Sequence, residues 1–126
     1  MITIDTKLFS ALREFAKSNH PKEIVVLLRG RKNDSDTLIT DYLIPPFSVG
    51  DRNFTSFPSN MLPIDFTIVG TAHSHPTGIL KPSIRDFHNF YGRIMVIIGP
   101  PYNNSKVAAY NKNGDKLPVC FSTLQR

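Results

Sequence analysis

The sequence predicts one mixed α/β domain, in which a β-sheet is flanked by at least two helices. Three observations lead to this fold class: an amphipathic helix pattern opens the chain, short β-branched runs follow it, and turn signals separate the runs. The length of 126 residues suits one domain, so we expect residues 1–126 to fold as a single unit. A hydrophobic share of 40% is enough for a buried core.

The first helix is the clearest periodic segment. Between Thr6 and Ser18, apolar residues recur at the spacing that places them on one helix face. Asp5 or Thr6 can cap the start, and Asn19-His20-Pro21 ends the helix. The apolar stripe consists of Leu8, Ala11, Leu12, Phe15 and Ala16.

Six apolar runs predict the strands of the sheet: 23–28, 37–44, 66–75, 93–98, 107–110 and 117–121. The polar residues Arg31 to Asp36 predict a hairpin turn, and Asn113-Gly114 predicts another. Pro118 marks the last run as an edge strand, because proline cannot donate to a ladder. Ser83 to about Tyr91 predicts a short second helix that is closed by Gly92.

Composition excludes several classes of function. The net charge is +5, from 15 Lys and Arg against 10 Asp and Glu, but the cations are scattered and no nucleic-acid-binding motif occurs. No apolar run of about 18 residues exists, and Met1–Asp5 lacks the layout of a signal peptide. Cys120 is the only cysteine, which excludes an intrachain disulfide and Cys-based zinc cages. We therefore expect a cytoplasmic protein that binds neither nucleic acid nor a membrane.

The informative stretch is His73-Ser74-His75-Pro76, followed by Ser83-Ile84-Arg85-Asp86. Residues i and i+2 of a strand share a face, so His73 and His75 project together as half of a zinc site. Ser83 and Asp86 share one face of a helix start, and Asp86 can supply a third ligand. Two His and one Asp leave the fourth zinc position open, which is the layout of a catalytic site.

Such a site also needs a proton carrier and a donor to the developing oxyanion. Glu23, at the head of the first buried strand, is the best candidate for the carrier, and Ser83 for the donor. Each element has a plainer interpretation. The Ser83/Asp86 pair matches a helix capping box, and Glu23 alone is typical of a solvated strand start. The plainer interpretations do not explain why all these residues occur together at this separation.

The complete pattern resembles the JAMM motif of the MPN metalloprotease family. The likeness covers about Leu8 to Phe121, and further matching segments are His20-Pro21-Lys22-Glu23 and Ile98-Gly99-Pro100-Pro101-Tyr102. The resemblance implies a central curved mixed sheet with flanking helices, akin to cytidine deaminases. Deaminase chemistry is disfavoured, because neither His-x-Glu nor Cys-x-x-Cys is present.

Carried over to this chain, the resemblance implies that His73, His75 and Asp86 bind one zinc ion. It implies that Glu23 moves the proton and that Ser83 stabilises the tetrahedral intermediate. Characterised family members cleave isopeptide bonds between a ubiquitin-like C-terminus and lysine. The implied partner is thus a conjugate of a small ubiquitin-like modifier or sulfur-carrier protein. A homodimer is compatible with this interpretation.

Two departures from the family pattern stand out. Val26 occupies a position where many members have Gly, and no room exists between Asp86 and Arg93 for the insertion of eukaryotic deubiquitinases. Linkage-specific cleavage of ubiquitin chains is therefore disfavoured. Two alternatives stay open: an MPN scaffold with a vestigial site, and a hydrolase of another amide.

The segment from residue 45 to about 62 lacks periodicity but carries aromatic residues. A loop of this length is commonly functional. Phe47 to Pro58 is predicted to lie beside the zinc site and close over the substrate tail. The alternative, weighted equally, is that Phe54 and Phe57 fill a gap in the core.

Overall fold

The computed structural model describes residues 1–45, 49–50, 67–88 and 90–124. The elements in chain order are β1 (Ile2–Asp5), α1 (Thr6–Asn19), β2 (Glu23–Asn33), β3 (Asp36–Leu43), β4 (Val49–Gly50), β5 (Ile68–Ser74), α2 (Ile84–His88), β6 (Ile94–Ile98), β7 (Val107–Asn111), β8 (Lys116–Leu117) and β9 (Val119–Ser122). The strands form one mixed sheet in the order β8-β7-β6-β5-β2-β3-β1-β9, and β4 pairs with the start of β2. The predicted fold class is confirmed.

The first helix forms where its apolar stripe predicts it. The Asp5 carboxylate accepts a hydrogen bond from the Leu8 backbone N–H, and the helix ends before His20. The helix packs on one face of the sheet and adds to a core that is built mostly from strand residues, while Ala11 of the predicted stripe is exposed. The buried members from the helix are Leu8, Phe9, Leu12 and Ala16.

Several boundaries differ from the predictions. Strand β2 continues to Asn33, and β3 begins at Asp36. The hairpin turn is therefore shorter than the predicted turn from Arg31 to Asp36. The second helix stops at His88, three residues before its predicted end. Gly92 still reverses the chain, with φ at +81°, and it lies so close to β5 that a Cβ would meet the Val69 carbonyl oxygen at 2.7 Å.

The strands at the two ends of the chain differ from the predictions. The first, β1, pairs in parallel with both β3 and β9, and its four residues carry little periodic signal. The predicted last strand, 117–121, is divided at Pro118 into β8 and β9, which lie at opposite ends of the sheet order. An edge strand at this proline is thereby confirmed.

The topology brings three strand ends together. Strands β5 and β6 run parallel, so His75 and Ile98 leave the sheet at the same end. Strand β2 runs antiparallel to β5, so its first residue, Glu23, starts at that end too. The predicted flap lies outside the described residues except for Val49–Gly50, which form β4. Neither described helix has the length and the apolar surface that a membrane-spanning segment needs.

Candidate metal centre

The two histidines of the motif lie where β5 ends. His73 is the sixth residue of the strand and is only 6% exposed. His75 follows the strand, and its backbone N–H still donates to the Ile98 carbonyl at 2.8 Å, which continues the ladder with β6. Their side chains therefore share one face, and their Nε2 atoms lie 3.1 Å apart. The predicted juxtaposition of His73 and His75 is present.

Asp86 joins this pair from helix α2. Its Oδ1 lies 3.4 Å from His73 Nε2, and its Oδ2 lies 3.2 Å from His75 Nε2. The same carboxylate accepts the Ser83 backbone N–H at 2.7 Å, while Ser83 Oγ accepts the Asp86 N–H at 3.2 Å. The capping box is therefore present, and it holds Asp86 next to the two histidines.

The donor set fits a single zinc ion. Two imidazole nitrogens and a carboxylate are ligands that zinc prefers, and open sites keep a fourth position. Bonds of about 2.0–2.1 Å in a tetrahedron hold ligand atoms roughly 3.3 Å apart. In this cluster the two Nε2 atoms lie 3.1 Å apart, and each lies 3.4 or 3.2 Å from a different oxygen of Asp86. One ligand atom from each of the three residues lies within 4.8 Å of the other two, which is close enough for one ion to reach all three. No other group of three or more His, Cys, Asp or Glu side chains with this closeness occurs among the described residues.

Hydrogen bonds orient the His75 ring for this role. Its Nδ1 donates to the Ile79 carbonyl at 2.7 Å, and a carbonyl can only accept. The proton of neutral His75 therefore sits on Nδ1, which leaves the Nε2 lone pair toward the cluster. This carbonyl partner was missed by the sequence analysis, since a backbone acceptor carries no residue-type signal.

The charges of the cluster stabilise one another. Burial lowers the pKa of His75, but its hydrogen bonds with Asp86 and Ile79 outweigh this effect and raise the pKa. Burial raises the pKa of Asp86, yet hydrogen bonds from His73 and His75 hold it well below its usual range. Asp86 therefore stays a carboxylate at all physiological pH values.

Glu23 lies beside the cluster on the same face of the sheet. Val25 is paired with His73 in the β2–β5 ladder, and the i, i+2 alternation puts the Glu23 side chain on the His73/His75 face. Burial raises the pKa of Glu23, and the positive charges of His75, His73 and Arg85 only partly oppose this. A carboxyl with a raised pKa exchanges protons more readily near neutral pH.

Val26, the departure from the family pattern, points away from this site. It pairs with Ala72 and is fully buried in the core under α1. Its extra volume therefore fills the helix side of the sheet and does not crowd Glu23.

Comparisons with known proteins agree with this geometry. Residues 5–111 match the family of prokaryotic homologues of the JAB domain. The chain belongs to this family. The match includes Glu23, His73, His75, Ser83 and Asp86.

Relatives of this JAB protein carry related descriptions. A probable metalloprotease of Haloferax volcanii is 38% identical over an alignment of 109 residues, and the match covers 81% of this chain and 68% of the relative. A JAB1/MPN domain protein of Archaeoglobus fulgidus is 30% identical, with a TM-score of 0.70 over 94% of this chain and 97% of its own. A structure described as a metalloprotease-like JAMM zinc site in the proteasome and signalosome is 26% identical, with a TM-score of 0.70. The match covers 97% of this chain and 98% of that structure's chain. The curved, nearly closed sheet is thus the MPN fold.

The family and the ligand cluster together define the class of enzyme. The JAB protein is a metallohydrolase whose site takes one zinc ion. The five side chains that the sequence singled out all lie at one end of the sheet.

Proposed function

We propose that this JAB metallohydrolase is a zinc-dependent isopeptidase, with residues 1–126 as its single catalytic domain. Its substrate in this proposal is the amide bond at the C-terminus of a small ubiquitin-like or sulfur-carrier protein. The observation that carries the proposal is the convergence of His73, His75 and Asp86 next to Glu23 and Ser83.

His73, His75 and Asp86 would hold the zinc. When bound, zinc supplies Lewis acidity, which polarises a carbonyl and lowers the pKa of a water from about 15.7 to near 7. The ligand residues contribute preorganisation. His75 is oriented by the Ile79 carbonyl and Asp86 by the Ser83 N–H, so neither side chain must reorder when metal enters.

Glu23 would carry the proton. Its carboxylate is not among the three clustered ligand groups, so it remains available to take a proton from the attacking water. The same group would then deliver this proton to the leaving amine. Its raised pKa suits both steps, because a carboxyl that is too acidic would release the proton before the amine departs.

Ser83 would stabilise the negative charge that develops on the scissile carbonyl oxygen. Its Oγ accepts a hydrogen bond from the Asp86 N–H, which leaves the hydroxyl hydrogen for another acceptor. The capping bond therefore fixes the position of the oxygen without consuming its donor. A preorganised donor of this kind is typically worth 10²–10³-fold in kcat.

The protein substrate is supported by the resemblance to the JAMM isopeptidases and by the Haloferax relative, which is described as a probable metalloprotease. The short connection between α2 and β6 fits a small modifier better than a ubiquitin chain of defined linkage. Action in the cytoplasm, without nucleic acid or membrane, is part of this proposal.

A modifier–lysine conjugate tests the proposal. The purified protein is incubated with a small ubiquitin-like protein joined through its C-terminal carboxyl to a lysine side chain, with and without chelator. We expect cleavage that chelator abolishes and added zinc restores. A zinc-loaded protein that cleaves only simple amides would be a different hydrolase, and one that cleaves neither would be a scaffold.

A further inference from the structure

The loop of residues 76–82 joins the two histidines of the motif to Ser83 and Asp86. Two side chains that are distant from the motif in sequence donate hydrogen bonds to this loop. Lys106 Nζ donates to the Gly78 carbonyl at 3.0 Å. The Tyr110 hydroxyl donates to the Leu80 carbonyl at 2.8 Å. Both donors come from the β6–β7 side of the sheet, so they tie the loop to the rigid core.

The carbonyl between these two anchored groups belongs to Ile79, and it accepts the His75 Nδ1 proton. Three consecutive carbonyls of the loop are therefore fixed by three side chains. The orientation of the central peptide, and hence the His75 ring, depends on the anchors at either side.

The sheet makes Tyr110 a firm anchor. It lies on β7, paired with Met95 of β6, on the same face as His73. The side chain is only 7% exposed and packs in a small cluster that Leu80 also joins. The packing of the ring therefore fixes the position of the hydroxyl that donates to the Leu80 carbonyl.

We propose that Tyr110 and Lys106 are positioning residues for the metal site. They hold the loop so that His75 and the Ser83–Asp86 turn face each other at the separation that zinc requires. The inference rests on the zinc site of the proposed function and is independent of its substrate. Neither side chain touches the metal ligands among the described contacts; each acts through a loop carbonyl.

Tyr110→Phe is the decisive variant, because it removes one hydroxyl and keeps the ring. We expect the zinc dissociation constant, measured by competition with a chromophoric chelator, to rise roughly three- to tenfold, as loss of one such hydrogen bond implies. Lys106→Met is expected to act in the same direction, and the double variant to exceed either. Cobalt-substituted Tyr110→Phe should also show a shifted d–d absorption, which a purely structural role would not cause.

Tyr42→Phe is the matched control, since Tyr42 lies on β3, on the far side of β2 from the loop. It should leave the zinc dissociation constant and the cobalt spectrum unchanged. The proposal is overturned if Tyr110→Phe and Lys106→Met both bind zinc within twofold of the wild type. If Tyr110→Phe fails to fold, Lys106→Met alone decides by the same criterion. A protein that binds zinc with these sensitivities but cleaves no conjugate would refute the isopeptidase and retain the positioning role.

Discussion

The two faces of the sheet are built from the same strands but serve different ends. On strand β6, alternate side chains enter different clusters: Val96 and Ile98 face α1, while Met95 and Ile97 face the metal site. The helix face is a large continuous core. The site face has a smaller apolar cluster, and it also carries Glu23 and His73.

The two faces therefore contribute separately to the stability of the fold and to the chemistry of the site. One face supplies most of the buried apolar area, so the other can expose charged groups at a strand end. Alternation makes the separation sharp, because a one-residue step along a strand changes the face. Substitutions on the two faces should therefore have different effects, and the predictions below are ordered by their expected effect on turnover.

Glu23→Gln should have the largest selective effect. We expect turnover to fall at least about 10²–10⁴-fold while zinc content stays near one per chain, because Glu23 is assigned to the proton and not the metal. His73→Ala and Asp86→Ala should lose both zinc and turnover. Metal analysis beside conjugate cleavage measures the two effects, and release of zinc by Glu23→Gln would contradict the assigned roles.

Ser83→Gly separates the capping role from the catalytic role. Glycine is a tolerated N-cap, so the helix should lose only a few tenths of a kcal/mol. The donor to the oxyanion is gone, so kcat should fall roughly 10²–10³-fold. Thermal unfolding and initial rates test this pair of expectations; an active variant would leave Ser83 as a cap alone.

Acidification should release zinc from the site. The pKa of His75 is raised by Asp86 and Ile79, so below that raised value a proton must leave before metal binds. The pKa of Asp86 lies well below its usual range, so Asp86 does not compete. Affinity should thus fall about tenfold per pH unit below the pKa of His75, because one proton must leave that ring for each ion bound. Competition with a chelator between pH 8 and 5 measures this affinity for zinc. An affinity that does not change over this range would contradict the proposed set of ligands.

The paired changes Phe54→Ala and Phe57→Ala test the predicted flap, and both residues lie outside the part of the chain that the structure describes. If the segment closes over the substrate, KM should rise or turnover fall in a protein that melts normally. If the rings fill a core gap, the melting temperature should fall by several degrees, as losses of roughly 3–5 kcal/mol require. A stable, fully active double variant would exclude the segment from catalysis.

Leu12→Ala is the complementary change on the helix face. Leu12 is 1% exposed, so truncation should cost about 2–5 kcal/mol of unfolding free energy. Turnover at 25 °C, per folded molecule, should be unchanged. Calorimetry and initial rates measure the two quantities, and a large loss of kcat would show that the faces are coupled.

Much of the fold could be predicted because its elements carry local signals. The stripe of α1 and the β-branched runs of β2 and β6 mark themselves by periodicity. The strand β1 could not be found this way, since it is four residues long and is held by parallel partners distant in sequence. The division at Pro118 likewise depends on partners distant in sequence, because β9 pairs with β1.

The site shows the same limit. The residue types and spacing of His73, His75 and Asp86 indicate a metal centre from sequence. That Glu23 stands beside them depends on the register that pairs Val25 with His73, which only the folded sheet defines. The hydroxyl of Tyr110 acts on a backbone carbonyl, so no motif reveals it.

The division of the last strand at Pro118 also bears on how molecules of this protein meet each other. One residue carries the chain from β8, paired with β7, to β9, paired with β1, so the sheet comes close to closing on itself. The strands at its two ends are only two and four residues long. Short edges offer little template for pairing with a second chain, and the proline between them has no N–H to donate. The short edge strands thereby limit the addition of a strand from a second molecule at either end of this sheet order.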